Sequence, residues 1–356
     1  MTAWPDPDAF AALICDWCLE VRPGQQVLIG SSTLAEDPVS ALHRAVLERG
    51  AWPLLRLTPP GVGEQFYRFA GDVQLDGFAP LELLEVQQID ALINIDAPAN
   101  TRALASVDPA RVTRAARARK AVQEARLSRR WCGSLWPTQA LAQQAGMSLD
   151  EYAAFVAGAL FLDQTDPVGA WQALSARQAT LVERLSTAAD IRIEAEGTDL
   201  TLSVEGRTWI NSDGRRNMPS GEVFTGPHER SANGTIRFAI PSSPRGVEVA
   251  DIELHFRDGE VVAALAGRGN DYLQAALATD AGARYLGELG IGTNAGIDRP
   301  TGSILFDEKM AQTVHLAIGR SYPETGGQNE SALHWDMICD LRTGGRLSAD
   351  GETLDL

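Results

Sequence analysis

Ile191-Arg-Ile-Glu-Ala-Glu196 and Leu200-Thr-Leu-Ser-Val204 alternate apolar and polar residues on either side of Gly197-Thr-Asp199. Successive side chains of a strand point to opposite faces, so this alternation predicts a hairpin with one face on a core. From here to Leu356 the chain reads as short strands, turns and glycines, with one helix expected over 271–279. Upstream the pattern has a different period. A domain boundary is therefore expected near 185–190, giving an N-terminal domain 1–187 and a second domain 188–356.

The upstream half begins with helical spacing of Phe10, Leu13, Ile14, Trp17 and Cys18, ended by Pro23-Gly24. Val27–Gly30, Pro53–Leu57 and Ile89–Ile95 read as short buried strands separated by helices. Strand–helix–strand alternation with short turns predicts an α/β layer with a mostly parallel sheet. Cys15-x-x-Cys18 lies inside a helical pattern without a second pair, so packing is expected rather than redox or zinc chemistry. Gly30-Ser-Ser has neither the glycine spacing nor the Lys-Ser/Thr pair of a phosphate loop. The arginine-rich run over 109–130 reads as a solvated helix face. Trp131–Thr138 reads as a strand and loop, and Ser148 with Glu151 as a capped helix start. Helical patterning continues to about Leu185.

At 356 residues the chain exceeds one small core, and its 44% hydrophobic and 22% charged content is that of a globular protein. A net charge of −16 argues against nucleic acid and anionic membrane surfaces. Met1-Thr-Ala-Trp-Pro-Asp lacks the basic and apolar regions of a signal peptide, and no apolar run approaches the roughly 20 residues of a membrane span. Four scattered cysteines do not make a disulfide framework. The expected compartment is the cytoplasm.

The chemistry concentrates between Glu288 and Asp340. Two of the five histidines lie there, His315 and His334, with Glu288, Asp307, Glu308, Asp336 and Tyr322. In a strand, His334 and Asp336 share one face while Leu333, Trp335 and Met337 face the other way, into a core. The same alternation sets His315 opposite Val314 and Leu316. Upstream, Asn217-Met-Pro-Ser-Gly-Glu222 is expected to present Glu222 from a loop. Glu and Asp with His, and no Cys, suit Zn²⁺, Co²⁺ or Mn²⁺. More carboxylates than one zinc needs point to two metals, between which a bridging water would be activated toward a substrate carbonyl. Among 31 basic residues only Lys120 and Lys309 are lysines, read as coding bias.

In these blocks the chain resembles the thermophilic aminopeptidases, the aminopeptidase T and S type of dinuclear metallopeptidase. The marks are Gly197-Thr-Asp-Leu200, Asn217-x-Pro-x-Gly-Glu222-Val-Phe-Thr, Glu288-Leu-Gly-Ile-Gly-Thr-Asn294, Asp307-Glu308-Lys309, His315-x-Ala-x-Gly319, Tyr322 and His334-x-Asp336. The resemblance implies an α/β N-terminal domain followed by a mixed α+β, strand-rich, metal-binding C-terminal domain. It implies metal ligands Glu222, Glu288, His315, His334 and Asp336, with Glu308 near them. Glu288 would bridge the ions and assist proton movement, and Tyr322 would donate to the oxyanion. It further implies two divalent ions, peptide substrates with a free N-terminus, and a homodimer enclosing a large cavity. The segment between Tyr322 and His334 is shorter than in the longer relatives. Two other readings compete: a ring-cleaving dioxygenase of related fold with one Fe(II), and a non-catalytic binding protein.

Overall fold

In the computed structural model, which describes residues 4–356, the chain forms two compact units. The first runs through Trp171 and includes Gly214–Pro219; the second comprises Gln172–Asp213 and Ser220–Leu356. The chain thus changes unit inside the helix Pro167–Leu185, earlier than the change of sequence character after it.

Four strands build the first unit's sheet: β1 (Gln26–Ser32), β2 (Trp52–Thr58), β3 (Ala91–Asp96) and β4 (Arg130–Leu135). All pairings are parallel, in the order β2-β1-β3-β4. Val27, Ile29, Leu92 and Ile93 are buried, as expected when helices cover a parallel sheet. The opening helix Pro7–Leu13 passes into a wider turn at Ile14–Cys18, and Cys15, Cys18 and Cys132 are buried free thiols. Burial pushes the Cys15 thiol up to about 12, which removes the thiolate that redox or metal chemistry needs. The arginine-rich run forms helices Pro109–Ala118 and Lys120–Leu127, where Arg114 pairs with Asp72 and Asp76. The Ser148 cap forms as expected: Glu151 N donates to Ser148 Oγ, and Ser148 N donates to Glu151 Oε2 at 2.9 Å.

The second unit holds β5 (Asp190–Ala195), β6 (Thr198–Ser203), β7 (Ile210–Ser212), β8 (Glu222–Thr225), β9 (Asn233–Phe238) and β10 (Ala250–Arg257). There follow β11 (Glu260–Arg268), β12 (Leu286–Gly292), β13 (Thr313–Gly319), β14 (His334–Asp340), β15 (Arg346–Ala349) and β16 (Glu352–Thr353). The hairpin β5–β6 turns at Glu196-Gly197 and pairs Ile191 with Leu202 and Ile193 with Leu200. It lies within a seven-stranded antiparallel sheet ordered β11-β10-β9-β6-β5-β15-β16. A five-stranded antiparallel sheet runs β14-β13-β12-β8-β7. Both contribute to one core: Ile191, Leu200 and Ile252 from the larger sheet, and Leu289, Val314, Leu316, Trp335 and Met337 from the smaller.

Strands β8, β12, β13 and β14 therefore turn their apolar sets to this core and their alternate residues to the opposite face. A register shift between Leu286 and Glu288 lets Leu286 and Leu289 both enter the core while Glu288 stays on the other face. Residues 293–312 run beside this sheet, with a single turn of helix at Ile304–Asp307. Asn294 N donates to the Lys309 carbonyl at 2.9 Å, and Ala311 N to the Asn294 carbonyl at 3.1 Å. Gly292 permits the close approach of this segment, because a Cβ there would meet Met310 O at 2.1 Å.

Candidate metal centre

Four neighbouring strands carry the site: β8 brings Glu222, β12 Glu288, β13 His315, and β14 both His334 and Asp336. The register sets Glu288 opposite Ala317 and Ala317 opposite Asp336, so the carboxylates flank a small residue. His315 stands opposite Gly290, whose missing side chain makes room for the ring. A Cβ on Gly290 would lie 2.0 Å from His315 Cε1. Glu222 corrects one expectation: it is not presented from a loop but is the first residue of β8, and it is buried. The turn before it still matters, since Gly221 adopts φ +112° against Asn294.

The donors fall into two groups of three. Ligand atoms of Glu222, Glu308 and His315 lie within 4.8 Å of one another, as do those of Glu288, His334 and Asp336. His315 Nε2 is 3.5 Å from Glu222 Oε2 and 3.6 Å from Glu288 Oε1. His334 Nε2 is 3.3 Å from Glu288 Oε2 and 3.5 Å from Asp336 Oδ2.

Both imidazoles are held from behind. His315 Nδ1 lies 3.0 Å from the Glu308 carbonyl and His334 Nδ1 2.8 Å from the Arg320 carbonyl. A carbonyl only accepts, so Nδ1 carries the proton and donates, and Nε2 faces the site. Buried His315 Nε2, Glu222 Oε2 and Asp336 Oδ1 have no hydrogen-bond partner. Orphaned buried acceptors converging on one place are what a cation satisfies, and all are oxygen or imidazole donors suited to a divalent metal.

Electrostatics follow from crowding these groups out of water. Burial raises the Glu222 carboxyl to about 7 against the opposing pull of Lys309. Burial, with Glu308 and Glu288 nearby, raises Asp336 to about 6. Burial acts the same way on Glu288, yet the facing imidazoles of His315 and His334 outweigh it and hold that carboxyl at about 2. In return, against burial, the carboxylates carry His315 to about 10 and His334 to about 9. Tyr322 packs edge-on against His334, ring centroids 5.2 Å apart, and burial with the nearby carboxylates pushes its hydroxyl up.

The structure thus assembles all seven expected residues, Glu308 included. One charged residue beside the site escaped the sequence reading. Lys309 has 0% exposure, and its Nζ donates to Glu308 Oε1 and lies 3.7 Å from Glu222 Oε1. The carboxylates push its pKa up although burial alone would lower it. The available signal was its rarity, because only two of the 31 basic residues are lysines and this is one of them.

The profile of the thermophilic metalloprotease family matches residues 6–354. The chain belongs to that family, M29. As an M29 peptidase it is metal-dependent. It is 30% identical to Aminopeptidase 2 of Geobacillus stearothermophilus, across 100% of this chain and 96% of that one. It is 34% identical to Aminopeptidase T of Thermus aquaticus across 50% of each. The solved wild-type AmpT of Thermus thermophilus superposes with a TM-score of 0.83 at 26% identity, covering 99% of this chain and 97% of that one. A 2,5-dihydroxypyridine dioxygenase of Pseudomonas putida KT2440 aligns with a TM-score of 0.59 at 12% identity, over 98% of this chain and 95% of that one, a likeness of fold alone.

Proposed function

We propose that this metallo-aminopeptidase releases N-terminal residues from peptides using two divalent metal ions, with Glu222, Glu288, Glu308, His315, His334 and Asp336 as ligands. The observation that carries the reading is the Glu288 carboxylate. Its Oε1 approaches His315 of one group at 3.6 Å, and its Oε2 approaches His334 of the other at 3.3 Å. One side chain facing both groups is the arrangement a shared ligand requires.

Zinc, cobalt or manganese ions bound there would supply Lewis-acid polarisation of the scissile carbonyl and a water of lowered pKa. Glu288, standing between the two groups, would assist movement of the proton from the attacking water to the leaving amine. Tyr322 keeps its proton and donates a hydrogen bond to the developing oxyanion. An ion held there would also bind a free N-terminal amino group directly, which favours peptides with an unblocked N-terminus. A single Fe(II) held for ring cleavage would leave one of the two donor groups without a metal, which supports the two-metal reading over it.

The working form in this proposal is a cytoplasmic homodimer. Edge strand β2 leaves Trp52, Leu55 and Leu57 exposed, and Phe69 and Val73 follow, an apolar surface that supports self-association. Among the described residues no helix is long and apolar enough to cross a membrane.

Elemental analysis joined to an aminoacyl-p-nitroanilide screen with each added metal tests the proposal. Two ions per chain and hydrolysis only of anilides with a free amino group are expected. A single tightly bound iron with O₂ consumption would overturn it. His334→Ala should release at least one ion, and retention of both counts against its role.

A further inference from the structure

Lys309 has no part in the steps above, yet it is buried against one group of ligands and not the other. Its ammonium donates to Glu308 and lies 3.7 Å from Glu222. Among the described residues, Glu288 and Asp336 pair only with histidines. Each group offers two carboxylates and an imidazole of its own, and Glu288 also faces His315 of the other group. Among the described residues, the lysine pairs with the carboxylates of one group alone.

We infer that Lys309 makes the two metal positions unequal, so that Glu288/His334/Asp336 fills first and Glu222/Glu308/His315 holds the weaker, exchangeable ion. The inference rests on the two-metal reading. Two effects point the same way. Glu222 turns Oε1 to Lys309 while Oε2 faces His315 Nε2 at 3.5 Å, so this carboxylate has one oxygen left for a metal. A fixed positive charge within a few ångströms also repels a divalent ion. Even at an effective dielectric of about 20 that repulsion is worth more than tenfold in affinity.

An opposing effect is that Lys309 orders the carboxylates it pairs with. The segment is already tied elsewhere: the Glu308 carbonyl accepts from His315 Nδ1, and the Lys309 carbonyl from Asn294 N. Repulsion therefore outweighs ordering. The same ammonium lets the chain bury Glu222 and Glu308 side by side before any metal arrives, which two unpaired carboxylates resist.

Metal-free full-length protein titrated with Co²⁺, followed by visible absorption and calorimetry, tests the inference. Wild type should bind in two steps separated by at least about tenfold. Glu308→Gln should remove the weaker step and Asp336→Asn the tighter. Lys309→Met should strengthen the weaker step by about tenfold or more until the steps merge, whereas Lys309→Arg keeps them apart. Equal steps in wild type, or loss of the tighter step in Glu308→Gln, overturns the inference however Lys309→Met folds. An unmoved weaker step in folded Lys309→Met removes Lys309 as the cause. A single cobalt ion per wild-type chain would instead overturn the two-metal reading, and the inference with it.

Discussion

The two antiparallel sheets of the second unit share a core, yet their other faces have opposite fates. Along β10, buried residues alternate with exposed or half-exposed ones. Along β12 and β13 every residue is buried. Side-chain alternation is the same in both, since it follows from strand geometry. What differs is the environment of the polar face. In the larger sheet that face meets water, and Arg192 pairs there with Asp199 at 2.9 Å while remaining half exposed. In the smaller sheet Glu288 and His315 are out of water, so their charges are set by one another and by His334, Glu222 and Glu308. An exposed ion pair contributes little because water screens it, whereas a buried constellation must be completed by a partner.

The sharpest way to break this comparison is to neutralise one charge on the buried face. Glu288→Gln should lower leucyl-p-nitroanilide hydrolysis by roughly 10³-fold or more while circular dichroism stays native. Normal activity would sink the site assignment. Tyr322→Phe removes only a hydroxyl, and kcat should fall about 10²-fold with KM little changed; a loss confined to KM would place the tyrosine in substrate binding instead. Gly290→Ala tests the face without touching a donor. Its Cβ would displace the His315 ring, so metal affinity, measured by competition with a chelator, should drop by roughly 10- to 100-fold. Unchanged affinity would mean the ring has another place to go. On the watered face, Arg192→Ala should leave activity unmoved and shift Tm by no more than about 2 °C. A larger effect there would erase the contrast between the sheets.

Much of the architecture was legible because it rests on periodicity and turn chemistry. The β5–β6 hairpin, the three upstream strands and the Ser148–Glu151 cap are local patterns, and each formed close to its expected place. His334-x-Asp336 shares a face for the same reason, with Trp335 and Met337 in the core. Glu222 was misread because Pro219 and Gly221 announce a turn, while the strand that begins at Glu222 is only four residues long. Lys309 was misread because a lysine has no periodicity of its own to reveal burial. Its setting comes from Asn294 and Met310 folding the segment back beside β12, a contact no local pattern encodes.

By itself the sequence determined which residues share a strand face, where the chain shifts from helix-and-strand alternation to antiparallel strands, and which side chains have metal-donor chemistry. These depend on bond geometry and residue type, which act over a few positions. Tertiary structure alone decided that the donors divide into two groups, that Glu288 faces both, and that a buried ammonium stands beside only one. Those facts depend on strand order, on the register of β8, β12, β13 and β14, and on the segment running beside them. Charge interactions fall with distance in space and not along the chain, so only the folded protein brings them into force.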